Sequence, residues 1–209
     1  MAPPPSSDRH RLSPGAQTAF DPGVLPEDAS CPFCRIVHVY PPYDPAAPPA
    51  PGADVINPEA TAPDPQAFVV LSTPLVIAFM DIMPLSPGHL LLCARAHRPK
   101  LSDVTPAESL ELGRYLPILS SALVQATGIK DWNVVQNNGA AAAQVVPHIH
   151  FHIIPRPDLK DARRERFTST MFGRGQREEL DEEEAAPLAE KVRRAVAVVL
   201  RESHSEHKL

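Results

Sequence analysis

Between residues 68 and 94 the apolar positions fall in short blocks divided by turn-forming residues, not at helical spacing. Phe68–Leu71 and Leu75–Asp81 read as paired strands joined near Ser72-Thr73-Pro74. Pro84, Pro87 and Gly88 then break the chain, and His89–Ala94 reads as a further buried strand. The pattern next changes period. Leu112, Leu116, Leu119, Leu123 and Ala126 recur at helical spacing behind a Thr105-Pro106…Glu108 start, and Gly128 supplies a stop. Pro117 inside this helix is expected to kink it. A strand around Asn133–Gln136, a loop and a strand ending at Ile154 follow, closed by Pro155 and Pro157. Val192, Val196 and Val199 mark one face of a final helix. The elements predict an α+β fold, a small antiparallel sheet with helices packed on one face.

Composition narrows where this core begins. Sixteen of the 26 prolines fall in the first 66 residues. Residues 1–30 are expected to be a disordered tail. The core domain is expected over 31–157, interrupted by a proline-rich insertion at about 41–65 that can sustain neither a helix nor a central strand. Residues 158–209 form a loop and helix, with a basic stretch at Arg163, Arg164 and Arg166, a glycine-flanked Arg174 and an acidic run at Asp181–Glu184. That run suits the start of a helix.

The formal net charge of −5 argues against a broad grip on nucleic acid. No apolar run is long enough to span a bilayer, and the N-terminal residues lack a secretory pattern. Three cysteines, an odd number, give no disulfide framework and point to a reducing compartment, the cytoplasm with the nucleus as a second location.

The chemistry concentrates in His148-Ile149-His150-Phe151-His152. On a strand, side chains two apart share a face at roughly 6.5–7 Å. The three imidazoles are therefore expected to line one face while Ile149, Phe151 and Ile153 pack into the core. Each ring has nitrogens that need partners when buried. Two chemistries suit such a row: metal binding, or covalent catalysis with one imidazole as nucleophile and its neighbours as phosphate ligands.

The segment Asn137–Ile154 resembles the histidine-triad (HIT) signature, His-φ-His-φ-His-φ-φ with φ apolar. The likeness extends to Phe79-Met80-Asp81-Ile82, Pro87-Gly88-His89 and Cys31-Pro32-Phe33-Cys34, in the family's order. It implies a nucleotidyl hydrolase of the Hint-like, adenosine-phosphoramidase type, acting on nucleoside 5′-phosphoramidates through a covalent nucleotidyl-histidine. A dinucleoside polyphosphate hydrolase and a non-catalytic nucleotide-binding module are the alternatives.

In this reading His150 attacks the α-phosphorus, one of its nitrogens being fixed by a backbone carbonyl. His152 and His89 bind the phosphate oxygens, with Asn137 and Gln144 as neutral donors, and His148 is an orienting member of the triad. Asp81 holds the ribose, and Phe33, Ile36, Phe79 and Ile82 form the slot for a purine base. Val145 stands where many members carry a hydroxyl that helps protonate the leaving group, and Ala143 replaces a frequent glycine. The likeness also implies a homodimer.

Cys31 and Cys34 alone supply two of the roughly four ligands a structural zinc needs. The resemblance adds His89 and His148, which gives His89 two competing roles. Two readings stand: a Cys₂His₂ zinc site, or buried free thiols. No organic cofactor is expected. Cys93 reads as core, His97 as a surface-loop residue, and His10, His38, His204 and His207 have no partners at meaningful spacing.

Overall fold

The computed structural model describes residues 28–61, 66–157 and 179–206. The tail up to residue 27, the basic stretch at Arg163–Arg166 and Arg174 lie outside the described residues. Helix α1 spans Pro32–Val39, and strands β1 (Val69–Ser72), β2 (Val76–Met80) and β3 (Leu90–Ala94) follow. Helix α2 (Pro106–Thr127), strands β4 (Asp131–Gln136) and β5 (His150–Arg156), and helix α3 (Glu182–Glu206) complete the order. The strands form one antiparallel sheet in the order β1-β2-β3-β5-β4. No helix among the described residues is long and apolar enough to cross a membrane.

Alternation along the strands divides the core in two. Val70, Ala78, Met80, Leu90, Leu92 and Ile153 turn to one face, where α2 and α3 cover them with Leu112, Leu119, Leu123, Val192 and Val196. Val69, Ile77, Phe79, Leu91 and Cys93 turn to the other face, against Phe33, Ile36 and Tyr40 of α1 and its end. The two long helices thus share one face, and the short helix carrying the cysteine pair lies on the opposite one. Cys93 is wholly buried there, where desolvation pushes its thiol up.

The start of α2 is built as its sequence signals. Thr105 Oγ1 accepts from the Glu108 amide, and the Glu108 carboxylate accepts from the Thr105 amide. Burial pushes Glu108 up, but its bonds to Arg98 and Thr105 outweigh this and hold it below the usual carboxylate range. The Arg98 carbonyl in turn accepts from Ile149, tying the start of α2 to the approach of β5. The helix is continuous through Pro117 and ends at Gly128, whose φ of +73° forms a left-handed cap.

The proline-rich insertion holds no strand in its described part, only short 3₁₀ turns at Asp54–Ile56 and Pro58–Thr61. It is tied down at several points. Tyr40 Oη donates to Asn57 O at 2.9 Å, the Tyr43 amide to Ser72 O at 2.9 Å, and Arg201 to Ala46 O at 3.1 Å.

Gly88 precedes β3 with φ +86°, and a Cβ there would lie 3.1 Å from Leu123 Cδ1 and 3.2 Å from Thr127 Cγ2. Both the backbone region and the close approach to α2 demand glycine. Gly113, in the exposed middle of α2, meets nothing within 4 Å. Gly88→Ala is therefore expected to lower stability by about 1–3 kcal/mol. Gly113→Ala is expected to raise it by about 0.5–1 kcal/mol. Urea denaturation midpoints of the two variants check both signs.

Candidate active site

β5 begins at His150, so His148 lies just before the strand and not within it. The antiparallel register pairs Cys93 with His150 and Leu91 with His152. It carries His89 to the His152 end of β3 and the residues after Ala94 to the His148 end. Each histidine thereby meets different partners, and the three rings do not converge on one point. This removes the reading in which all three bind one metal.

His150 is 5% exposed, and its Nδ1 donates to the His148 carbonyl at 2.6 Å. The proton is thus held on Nδ1, leaving a lone pair on Nε2. Burial is the main cause holding His150 below the usual histidine value, so the ring is neutral near pH 7; the bond to His148 pulls the other way.

His152 and His89 form a second unit. The Leu85 amide donates to His89 Nδ1 at 3.1 Å, so in the neutral ring the proton is on Nε2, which lies 3.0 Å from His152 Nδ1. His152 Nδ1 accepts it and carries its own proton on Nε2. The Asp81 carboxylate sits beside the pair, Oδ2 being 3.4 Å from His89 Nδ1 and 3.9 Å from His152 Nδ1. Its Oδ1 accepts from the Met83 amide at 2.9 Å.

The Phe33 ring meets His150 edge-on at 5.2 Å and Phe79 at 5.3 Å between centroids. Ile36 is buried in the same cluster, while Ile82 stands 37% exposed beyond Asp81. Asn137 lies half-buried on the loop after β4. Gln144 departs from its expected role as a phosphate donor. Its Oε1 accepts from Gly139 N at 2.6 Å and its Nε2 donates to Pro99 O at 2.7 Å, with His148 O at 3.4 Å. The side chain is engaged in holding the loop. Val145 is 91% exposed, and Ala143 adopts φ +62°, the region its glycine counterpart enters freely.

The metal-ligand expectation needs one correction. Cys31, Cys34, His97 and His148 bring their donor atoms within 4.8 Å of one another, whereas His89 groups with Asp81 and His152. His148 Nε2 donates to Ala94 O at 2.8 Å, so Nδ1 carries the lone pair, and it lies 3.6 Å from the sulfur of each cysteine. His97 Nδ1 lies 3.2 Å from Cys34 Sγ, and its Nε2 lies 4.0 Å from an Asp28 carboxylate oxygen. A hydrogen bond with Cys34 is the largest influence holding the Cys31 thiol down at about 3; burial opposes it and His148 assists.

A tetrahedral zinc with sulfur at ~2.3 Å and nitrogen at ~2.05 Å has a sulfur–nitrogen edge of about 3.6 Å. The distances from His148 Nδ1 to the sulfurs of Cys31 and Cys34 both match that edge. His97 is thus part of the cluster and not a surface-loop residue. The register alone carries the signal for it: an antiparallel β3–β5 pair places the end of β3 opposite the start of the histidine run.

Fold and site define an α+β protein with a buried histidine strand joined to a Cys/His cluster. Residues 63–159 match the model of the HIT domain. The adenosine 5′-monophosphoramidase HNT1 of Saccharomyces cerevisiae is 34% identical over 133 residues, 64% of this chain and 66% of that protein. The crystal structure of a Hit-like protein from Bartonella henselae is 31% identical, covering 61% of this chain and 84% of that one, with a TM-score of 0.50. A Zn-bound histidine triad family protein from Mycobacterium smegmatis is 25% identical, covering 65% and 87%, with a TM-score of 0.51. The chain belongs to the HIT family. It spans 43–66% of the length of the first curated relatives it matches.

Proposed function

We propose that the protein is a nucleotidyl hydrolase that cleaves nucleoside 5′-phosphoramidates of the AMP–amine type through a covalent intermediate on His150. The observation that carries this reading is the fixed tautomer of His150, a neutral, buried ring with its Nε2 lone pair available. The phosphoramidase named above, similar over 64% of this chain, supports it.

In the first step His150 Nε2 forms a bond to the α-phosphorus and the P–N bond to the amine breaks, the amine leaving with a proton. In the second, water attacks phosphorus, the P–N bond to His150 breaks, and the nucleoside monophosphate departs. His152 supplies its Nε2–H to a non-bridging oxygen, and His89, whose own Nε2–H is given to His152 Nδ1, orients that ring. Asp81 accepts from the ribose hydroxyls, and Phe33, Phe79 and Ile82 bound the purine. Val145 has no proton to give, so in this reading His152, with its Nε2–H, is the proton source for the leaving group.

Zinc at Cys31, Cys34, His97 and His148 fits the sulfur–nitrogen distances, and a Zn-bound relative supports it. Bound there, it supplies a closed structural cross-link that fixes α1 against the approach to β5. The free thiols of the chain agree with a reducing compartment, cytoplasm or nucleus.

A homodimer is the assembly we infer. β4 is an edge strand exposed on both faces, with Trp132 and Val134 on one and Val135 on the other. An apolar edge of this kind is a template for pairing, and a twofold partner closes it with its own copy.

Four measurements test these readings. His150→Ala is expected to abolish release of AMP from an adenosine phosphoramidate while retaining AMP binding within a few-fold. In the parent chain, a denaturing alkaline quench is expected to trap a label on His150 that acid then releases, and a turnover with no such adduct would overturn the mechanism. His97→Ala is expected to lose bound zinc by elemental analysis while His89→Ala keeps it; the reverse would restore His89 as the ligand. Val134→Lys is expected to shift the sedimenting species from dimer to monomer, and an unchanged mass would remove β4 as the interface.

A further inference from the structure

Helix α1 carries Phe33 and Cys34 on its eight residues, with Cys31 as its N-cap. Helices shorter than about 12–15 residues are marginal on their own. Its placement therefore depends on what grips it. The N-terminal end is gripped at Cys31 and Cys34. The C-terminal end is gripped by Arg95, which leaves β3 directly after Ala94.

Arg95 Nη1 donates to Val37 O at 3.0 Å, and Nη2 to Tyr40 O and to Ser72 Oγ, each at 2.5 Å. Its Nε donates to Thr73 O at 2.6 Å. Val37 and Tyr40 present the carbonyls that a helix C-terminus leaves unpaired, and a cation there also meets the favourable end of the helix dipole. Ser72 extends the clamp, its Oγ donating to Pro41 O at 2.9 Å. One planar guanidinium thus joins the exit of β3, the β1–β2 turn and the end of α1. Burial pulls it down to about 10, which leaves it charged at neutral pH. A lysine ammonium, with three donors on a point charge, cannot reach the same set of oxygens.

We propose that Arg95 is a positioning residue that presets both the metal cluster and the base slot by fixing α1 on the sheet. The bonds described above run from Arg95 to the end of α1 and the β1–β2 turn, and the proposed influence on Cys31, Cys34 and Phe33 passes through that helix. The metal arm of this proposal rests on the zinc reading given above; the nucleotide arm does not.

The test uses the full chain and its variants Arg95→Met, Arg95→Lys, Ser72→Ala and Leu119→Ala. Leu119 lies in the core on the opposite face of the sheet and reports a loss of stability without a change at α1. Zn²⁺ affinity is measured by competition with a chromophoric chelator, and AMP affinity by calorimetry. Arg95→Met is expected to weaken Zn²⁺ binding by about 10- to 100-fold, the usual scale for groups that orient metal ligands. AMP binding is expected to weaken at least fivefold. Arg95→Lys is expected to restore only part of either loss, Ser72→Ala to show a smaller loss of both, and Leu119→Ala to leave both within twofold.

Should Arg95→Met fail to fold, the contrast between Ser72→Ala and Leu119→Ala decides. Parent-like affinities in the Arg95 and Ser72 variants, or equal losses in Leu119→Ala, overturn the proposal. A parent chain that binds no Zn²⁺ overturns the zinc reading instead, and the AMP measurements still judge Arg95.

Discussion

The hydrogen bond from His150 Nδ1 to the His148 carbonyl is the constraint on which the rest of the site depends. It fixes the tautomer of the proposed nucleophile, and it does so with a backbone atom of the residue whose side chain faces the cysteine pair. His148 is held in its turn: its ring donates to Ala94 O on β3, and its carbonyl also lies within reach of Gln144 Nε2. A displacement of the Cys/His cluster therefore moves the acceptor of His150 directly. This is how a cluster that touches no phosphate comes to bear on the reaction, by the same logic that lets outer groups orient metal ligands.

Much of this architecture was legible in the sequence because local signals and sheet alternation agreed. The Thr105–Glu108 capping box, the Gly128 stop and the strand blocks around Val69, Val76 and Leu90 each rest on short-range chemistry, and they formed within a residue or two of the expected bounds. The split of His150 and His152 from Phe151 and Ile153 follows from the period of two. What was not legible depended on register. His89 and His97 flank β3 at positions of the same parity, so alternation alone cannot tell which one meets His148. Only the pairing of Leu91 with His152 decides, and it gives His97 to the cysteines and His89 to His152 and Asp81.

The second thing sequence pattern hid is how polar groups are satisfied. Gln144 looked like a donor for substrate because of where it stands in the motif, yet its amide is engaged by Gly139, Pro99 and His148. Arg95 is not marked by any pattern in the sequence, yet its donors reach both the β1–β2 turn and the end of α1. Each relies on at least one long-range bond, Gln144 to Pro99 across 45 residues and Arg95 to Val37 across 58, and no local propensity encodes those.

The loop between β4 and β5 shows what such bonds allow. Ala143 holds a left-handed backbone that costs a non-glycine residue roughly 1–2 kcal/mol. It keeps that conformation because Ala142 and Gln144 both donate to Gly139 O, Ala143 donates to Ala140 O, and the Gln144 side chain closes the loop on Gly139 N. The shape is over-determined by backbone bonds, so replacing glycine at 143 costs stability without opening the loop. Position 145 differs in kind. Val145 projects into solvent and takes no part in the loop's bonding, so its missing hydroxyl is a loss of chemistry alone. The two departures from the family pattern thus separate: one is absorbed by the scaffold, and the other, in the proposed reaction, moves the demand for a proton onto His152.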